Sequence, residues 1–451
     1  MKNSFLLNKY LKNYAVDETW PLIANDTDHI SQVVVIPAYA EREMLFSTLA
    51  SLARNTPAAL ASSLVICVVN NQMNSPEEVK KNNLQTMECL QSLIKKQSLH
   101  MFRKEQQLHQ RLTEIGDANM KLGYINASTP GHEIPQRVGG VGMARKIGMD
   151  TALRLLGTES ATPRVILSLD ADTLVQENYL AAIRQNFTKA VKTAIVAYEH
   201  SMPSDDLEKA AICCYEIFLR YWVLGLKYAK SPWAFHSIGS TMAVSTDAYL
   251  DVRGMNRRAA GEDFYFLNKL AKVCNIDYIK DTCVYPSARA STRVPFGTGK
   301  RIQRFLSGTY EKEYCLYDPK VFSILAAWLQ LMGEMILEHE HKIVVQAGCI
   351  HPRLKTFLND NQFPMIWSKI RRVAREKKLL VKHFHDWFDG FRTLKLIHDL
   401  TREVYPLIDM FAALERMLSM SGVSTYPCTS NTKVPPLWEQ MECLDTLRTI
   451  T

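Results

Sequence analysis

The sequence has no apolar run long enough to cross a lipid bilayer. Its longest apolar stretch, residues 321–333, contains Gln330 and is shorter than the about 20 residues that a membrane-spanning helix needs. The apolar core of residues 1–9 is also too short for a signal peptide. We therefore expect neither a transmembrane helix nor a secretion signal, and peripheral binding to a membrane surface stays open.

The sequence also lacks the cysteine spacings that mark metal-binding or disulfide-rich domains. Its ten cysteines are scattered, and none forms a Cys-x-x-Cys pair. A chain of 451 residues buries enough apolar surface to fold without disulfides. We therefore expect reduced thiols and a cytoplasmic protein, with a peripheral position on the inner face of the membrane as an open alternative.

Motifs for nucleic acids and for common nucleotide-binding folds are missing as well. There is no zinc-finger spacing and no aromatic–glycine RNA motif, so we expect no nucleic-acid partner. Residues 139–142 are glycine-rich and lead into a helix, where backbone N–H groups can bind phosphate, but no G-x-G-x-x-G or Walker pattern is present. Glycines that serve only a turn fit equally well. The net charge of +8 suits a phosphate-bearing ligand or an anionic membrane surface without choosing between them.

Apolar strands alternate with helical segments through the first two-thirds of the chain. Residues 33–36 and 165–169, for example, read as buried strands. This alternation predicts an α/β fold with a mostly parallel sheet and helices on both faces. We expect residues 1–30 to be an irregular lead-in, residues 31–309 to form the α/β domain, and residues 310–451 to form a helical C-terminal region.

The strand 165–169 runs directly into two carboxylates, Asp170 and Asp172. Ligands of open α/β sheets bind beyond the carboxyl ends of the strands. A pair of carboxylates there can hold a divalent cation, and the cation can hold a diphosphate. An ordinary turn built on aspartate is the alternative, and the motif alone does not decide between the two.

Other segments carry side chains suited to such a site. Residues 37–39 end a strand, and residues 239–244 read as a strand whose small first residues let a ligand approach the backbone. Glu262 and Asp263 begin a helix, a place where the helix dipole by itself favours acidic residues. Residues 286–301 form a basic loop that can close on a phosphorylated ligand, although a solvated loop fits as well.

In their residues and their order along the chain, these motifs resemble those of the family 2 nucleotide-sugar glycosyltransferases. They are residues 37–39 with Glu41, the sequence Asp-Ala-Asp at 170–172, the strand 239–244, and Gly-Glu-Asp at 261–263. The resemblance covers residues 31–285 and implies a GT-A fold, which is Rossmann-like. It implies an inverting, metal-dependent hexosyltransferase that moves a sugar from a UDP- or GDP-linked donor to an acceptor hydroxyl, with Mn²⁺ or Mg²⁺ as cofactor.

The resemblance also implies roles for single residues. Asp172 would be the metal ligand, with Asp170 near the ribose or the metal. Asp263 would be the base that deprotonates the acceptor hydroxyl, and Glu262 would support it. The remaining residues would contact the donor: Pro37, Ala38, Tyr39 and Glu41 in the nucleotide pocket, Arg145 near the nucleotide, and Arg293 and Lys300 on the diphosphate.

One position departs from the family pattern. The family carries an acidic residue after the second strand, which hydrogen-bonds the nucleobase, and here Asn70 and Asn71 stand at that place. An amide can both donate and accept hydrogen bonds, so Asn70 can recognise uracil or guanine. The base of the donor therefore stays open.

Two other functions compete with a glycosyltransferase. A sugar-nucleotide nucleotidyltransferase would carry a glycine-rich, basic loop after its first strand, whereas residues 40–43 are Ala-Glu-Arg-Glu. A non-catalytic sugar-nucleotide-binding protein would explain Asn70, but not the intact acidic residues. The acceptor is open, and a lipid or a glycan would suit. Packed helices are the usual interpretation of the basic segment 369–382 and the aromatic segment 205–230, and a membrane surface is the less common one.

Overall fold

The computed structural model describes residues 2–158, 162–187, 190–291, 297–309, 312–423 and 432–451. The chain divides into two compact units. The first consists of residues 1–201 and 237–287, and the second of residues 202–236 and 288–451.

A nine-stranded sheet is the centre of the first unit. Its strands lie in the order β1-β4-β3-β2-β5-β8-β7-β9-β6. Strands β2, β3, β4, β5, β7 and β9 run in one direction, so the sheet is mostly parallel, as predicted. The bounds are β1 Leu22–Ala24, β2 Gln32–Ala38, β3 Ser63–Asn70, β4 Lys121–Ala127, β5 Val165–Ser168, β6 Thr173–Val175, β7 Thr193–Tyr198, β8 Met242–Ser245 and β9 Asp277–Pro286.

Helices follow the strands in the first unit and fill most of the second. The helices of the first unit are α1 Lys2–Asn13, α2 Arg42–Ala53, α3 Pro57–Ala61, α4 Glu77–Ile94, α5 Gln106–Asp117, α6 Val141–Leu156, α7 Tyr179–Asn186, α9 Thr246–Asp251 and α10 Glu262–Leu270. The long helix α8 Asp206–Tyr228 belongs to the second unit. Those that follow are α11 Thr298–Arg304, α12 Pro319–Met335, α13 Glu340–Ile350, α14 Pro352–Asp360, α15 Phe363–Val373, α16 Lys377–Trp387, α17 Gly390–Glu403, α18 Met410–Met420 and α19 Leu437–Ile450.

Both faces of the parallel part of the sheet are covered by helices. Successive side chains of a strand point to opposite faces, so Val34 and Val35 of β2 contact different layers. Val34 packs in one apolar cluster with Leu45 of α2. On the other face, Gly148 of α6 comes so close that a Cβ atom there would overlap Val35. The predicted α/β architecture, with helices on both faces, is confirmed.

The first 30 residues are more regular than expected. They contain the helix α1 and the edge strand β1, which pairs antiparallel with β4. The expectation of an irregular lead-in was wrong because tertiary contacts order this polar segment. Tyr10 donates a hydrogen bond to Asp150 Oδ1 at 2.6 Å, and the backbone N–H of Val16 donates to Asp150 Oδ2 at 2.8 Å.

The second unit is helical, as predicted, apart from the two-residue strands β10 Cys315–Leu316 and β11 Ile408–Asp409, which pair antiparallel. Tyr221 of the aromatic helix α8 is fully buried in its core, and Phe218 and Trp222 pack against that core. The aromatic residues of α8 therefore belong to a packed interior. Among the residues that the structure describes, no helix combines the length and apolar character needed to span a membrane.

Candidate active site

Several predicted site residues lie at one edge of the sheet. Strands β2, β3 and β5 are neighbours that run in parallel, and they end at Ala38, Asn70 and Ser168. The residues that follow each strand are therefore brought to the carboxyl edge, where α/β proteins bind their ligands. This edge carries Asp170, which follows β5 closely. It also carries Asn70 and Asn71 at the end of β3, which we call the Asn70 corner.

A buried arginine organises the acidic residues at this edge. Arg145 of α6 is 3 % exposed, and its guanidinium forms ion pairs with Asp170 Oδ1 and Glu262 Oε1. Its Nε donates a third hydrogen bond to Ser168 Oγ at 2.9 Å. Burial opposes the charge of Arg145, but the nearby carboxylates outweigh burial and raise its pKa. Arg145 therefore joins the end of β5 to the first turn of α10.

Asp170 is held from two sides. While Arg145 binds its Oδ1, the hydroxyl of Ser240 donates to its Oδ2 at 2.6 Å, and Thr173 donates to Ser240 at 3.0 Å. The small residues before β8 make room for Arg145, and the predicted approach of a ligand to their backbone stays a prediction. A Cβ atom on Gly239 would overlap the guanidinium. Position 239 must therefore stay glycine for the ion pair with Asp170 to form.

Glu262 and Asp263 begin α10, as predicted. Burial raises the pKa of Glu262 to about 7, with a further rise from Asp263, while the positive charge of Arg145 acts against it. Burial also raises the pKa of Asp263, again against Arg145 and with help from Asp170. A carboxyl group whose pKa is raised towards neutral pH is suited to accept a proton from a hydroxyl group.

The start of α6 packs tightly against the segment that precedes α10. A Cβ atom on Gly142 would overlap the backbone carbonyl oxygen of Arg258 and lie 3.0 Å from Glu262 Cβ. In the glycine-rich segment 139–142, Gly142 therefore permits a close approach of two backbone segments. This contact brings Arg145, one turn further on, to the carboxylate of Glu262.

The Asn70 corner is built by an asparagine that the sequence did not mark. Asn83 of α4 donates to the backbone carbonyl oxygen of Asn70 at 3.0 Å and to Asn71 Oδ1 at 2.9 Å. Its own Oδ1 accepts a hydrogen bond from the N–H of Ala40 at 3.0 Å. Asn70 is 5 % exposed, and its Oδ1 is buried without a hydrogen-bond partner among the described residues. A ligand N–H group would satisfy this atom.

The residues predicted to line the nucleotide pocket lie at the end of β2 and in the turn after it. Pro37 and Ala38 are buried residues of β2, and the hydroxyl of Tyr39 donates to Ser75 Oγ at 3.4 Å. Glu41 is buried at the start of α2, where its carbonyl oxygen accepts from the N–H of Leu45 at 2.8 Å. All four residues thus belong to the same sheet edge as Asn70, since β2 and β3 are paired.

The carboxylates fit a metal ion only in part. Asp172 lies between β5 and β6, and its carbonyl oxygen accepts from the N–H of Ser287 at 3.2 Å. In the described parts of the chain, no group of three or more His, Cys, Asp and Glu side chains could hold a metal ion. Asp170 and Asp172 offer the hard oxygen ligands that Mg²⁺ and Mn²⁺ prefer, so the other ligands would have to come from a bound diphosphate or water.

The structure does not test the two predicted diphosphate ligands. Arg293 lies outside the described residues. Lys300 belongs to α11 of the second unit, where its Nζ donates to Gln303 Oε1 at 3.4 Å. Their assignment stays a prediction.

Sequence reasoning missed Ser168 and Asn83, and it marked Gly239 and Ser240 without their contacts to Arg145 and Asp170. Ser168 is a small polar residue at the end of the apolar strand β5, which is a weak signal. Asn83 lies within a long polar helix, where its sequence context does not distinguish it from exposed neighbours.

No protein-family model matches the sequence, and no curated protein matches it. The chain is similar to solved structures. For residues 1–349 of TarS from S. aureus, the identity is 12%, the match covers 93% of this chain and 90% of that chain, and the TM-score is 0.34. The same TarS segment in complex with UDP-GlcNAc matches over the same shares at 13% identity, again with a TM-score of 0.34.

A third similar structure is the mannosyltransferase PcManGT from Pyrobaculum calidifontis in complex with GDP-Man and Mn²⁺. Its identity to this chain is 12%, the match covers 88% of this chain and 90% of that chain, and the TM-score is 0.34. At this level of similarity, these structures do not show which reaction this chain performs.

Proposed function

We propose that this protein is an inverting, metal-dependent glycosyltransferase that moves a hexose from a UDP- or GDP-linked donor to an acceptor hydroxyl. The observation that carries the proposal is the two ion pairs through which the buried guanidinium of Arg145 joins Asp170 to Glu262. They bring an acidic strand end and an acidic helix start together at the carboxyl edge of the sheet. The strand end can serve the donor, and the helix start can serve the acceptor.

The acceptor side would use Asp263. An inverting transfer forms the bond from the acceptor oxygen to the anomeric carbon while the bond from that carbon to the diphosphate breaks. Asp263, with its raised pKa, would take the hydroxyl proton as the new bond forms. Glu262 would position the start of α10 through its ion pair with Arg145.

The donor side would use the ends of β2, β3 and β5. Pro37, Ala38, Tyr39 and Glu41 would line the nucleotide pocket. The unpartnered Oδ1 of Asn70 would accept an N–H of uracil or guanine. A divalent ion, held by Asp172 with Asp170, would supply positive charge to the leaving diphosphate. Arg293 and Lys300 are proposed to contact the same group.

The compartment, the domain ranges and the acceptor are part of the same proposal. The nine cysteines that the structure describes are free, which supports a reducing cytoplasm. We retain residues 31–309 as the glycosyltransferase domain and 310–451 as an appended region. The acceptor would be a lipid-linked group or a glycan.

A donor-hydrolysis screen tests the reaction class. The protein is incubated with UDP- and GDP-sugars in the presence of Mn²⁺, Mg²⁺ or a chelator. Metal-dependent release of a nucleoside diphosphate is expected. Release of pyrophosphate would instead identify a nucleotidyltransferase, and donor binding without any release would identify a non-catalytic binding protein.

The variant Asp263→Asn tests the base. We expect it to lower the transfer rate by a factor of about 10² to 10⁴ and to leave donor binding intact, because only proton removal from the acceptor is lost. The matched control is Asp117→Asn, which removes an exposed carboxylate at the end of α5. Full transfer activity in Asp263→Asn would show that another group is the base.

A further inference from the structure

Helices α15 and α16 combine a buried aromatic side with an unusually basic outer side. Residues 369–382 contain seven basic residues and one acidic residue, Glu376. On the inner side, Phe363 and Trp367 stack with ring centroids 5.8 Å apart, and Phe363 and Phe384 both contact the buried ring of Trp328. The aromatic packing fixes both helices, so their outer side has a defined orientation within the second unit.

The outer side carries many exposed cations. Six of its basic side chains are exposed, and we call them the basic face: Lys369, Arg372, Arg375, Lys377, Lys378 and Lys382. Lys382 pairs with Asp386 at 2.6 Å. None of the other five forms an ion pair with a described residue. Cations that a protein leaves uncompensated at such density are available to an anionic partner.

Apolar side chains lie among these cations. Val373 is 78% exposed, and Met365 is 47% exposed. Met365, Lys369 and Arg372 follow one another at helical spacings of four and three residues, so they share one face of α15. A partner that offers only phosphate groups would leave the apolar side chains in water. A lipid bilayer satisfies both kinds of side chain, since cations lie among headgroups while apolar groups enter the acyl boundary.

We propose that the basic face of α15 and α16 docks the protein onto a bilayer that contains anionic lipids. Each cation near such a surface adds attraction that falls off within a Debye length. Val373 and Met365 would add apolar insertion. The proposal concerns the second unit alone and does not depend on the reaction proposed above, so either can fail without the other.

Vesicle co-sedimentation tests the docking. The full chain is mixed with vesicles of phosphatidylcholine alone or of phosphatidylcholine with phosphatidylglycerol. We expect binding only to the anionic vesicles, and we expect it to weaken at high salt. The triple variant Arg375→Gln, Lys377→Gln, Lys378→Gln should lower the partition coefficient about a hundredfold, because three cations are removed from the surface.

The matched control removes the same charge elsewhere. The control is the triple variant Lys81→Gln, Lys95→Gln, Lys104→Gln, which neutralises three exposed lysines of the first unit. It should bind anionic vesicles as the wild type does. Equal losses in the two triple variants would overturn the proposal, because binding would then depend on net charge and not on this face. Thermal unfolding of each variant checks that the fold is kept.

A second variant separates a bilayer from other polyanions. Met365→Ser, Val373→Ser should lower binding to anionic vesicles about tenfold and leave binding to single-stranded nucleic acid unchanged. If this variant binds anionic vesicles as well as the wild type does, or if the wild type binds nucleic acid more tightly than these vesicles, the face is not a membrane-docking surface.

Discussion

Helix α6 carries two buried cations in consecutive positions, and they lie in different surroundings. Arg145 and Lys146 are each 3 % exposed. Lys146 pairs with Asp150 Oδ2 at 3.0 Å and donates to the hydroxyl of Tyr10 at 3.0 Å. Asp150 also accepts hydrogen bonds from Tyr10 and from Tyr249, the latter at 2.7 Å. The Lys146 cluster thus matches one cation with one carboxylate and supplements it with neutral donors.

The Arg145 cluster is not balanced in this way. One guanidinium pairs with Asp170 and Glu262, and its charge also acts on Asp263. The pKa values of Glu262 and Asp263 are raised, which means that the folded protein holds their negative charge at a disadvantage. Burial also lowers the pKa of Lys146, against the opposing effect of Asp150, so both clusters hold charge at a disadvantage. What sets the Arg145 cluster apart is its excess of carboxylates, which favours binding of a proton or a cation. The difference supports the proposal that Arg145 belongs to a ligand site and Lys146 to the scaffold.

The largest effect is expected when the balanced cluster loses its carboxylate. Asp150→Asn leaves the charge of Lys146 buried without compensation, and we expect a loss of about 3–5 kcal/mol in the free energy of unfolding. Urea denaturation of the wild type and the variant measures this loss in the free energy of unfolding. The double variant Lys146→Met, Asp150→Leu should recover most of this loss, because it removes both charges. A loss below about 1 kcal/mol in Asp150→Asn would mean that the cluster does not hold the scaffold.

The next effect concerns the cation of the site. Arg145→Met leaves Asp170 and Glu262 without their counter-charge, and we expect a loss of about 2 kcal/mol near neutral pH. The loss should shrink in acid, because protonated carboxyl groups no longer need the guanidinium. Transfer activity should fall at least about a hundredfold. The conservative variant Arg145→Lys keeps the charge and should recover stability better than activity, since an ammonium group cannot bridge both carboxylates as a planar guanidinium does.

A smaller effect follows from the raised pKa of Glu262. A carboxyl group with a folded pKa of about 7, above its usual value of 4.5, binds its proton more tightly in the folded state. Its contribution to stability is complete below the unfolded pKa and is lost as the pH rises from the unfolded value through about 7. In Glu262→Gln this pH dependence should disappear.

Urea denaturation of the wild type and Glu262→Gln at about pH 5, 6 and 7 checks this sign. The wild type should lose up to about 1.4 kcal/mol per pH unit relative to the variant. Asp117→Asn serves as the control, because that carboxylate is exposed. Parallel stability curves for the wild type and Glu262→Gln would show that Glu262 keeps its ordinary pKa in the folded protein.

The fold was largely predictable from the sequence because its signals are local. Unbroken apolar runs such as residues 33–36 mark buried strands, and a turn with acidic residues marks the start of α10. The network of Arg145 was not predictable, since it joins residues 25 and 117 positions away in the chain. The order of residues 1–30 was missed for the same reason, because Tyr10 and Asp150 lie 140 positions apart.

The smallest stability effects come from single hydroxyl groups, one in each cluster. Tyr10→Phe removes one of the donors to Asp150, and Ser240→Ala removes one of the donors to Asp170. Each should lower the free energy of unfolding by about 1 kcal/mol, because the carboxylate keeps other partners. Only Ser240→Ala should also slow donor turnover, since it frees the carboxylate that the proposed donor site uses. If Tyr10→Phe slowed turnover equally at unchanged stability, the two clusters of α6 would not divide scaffold from site.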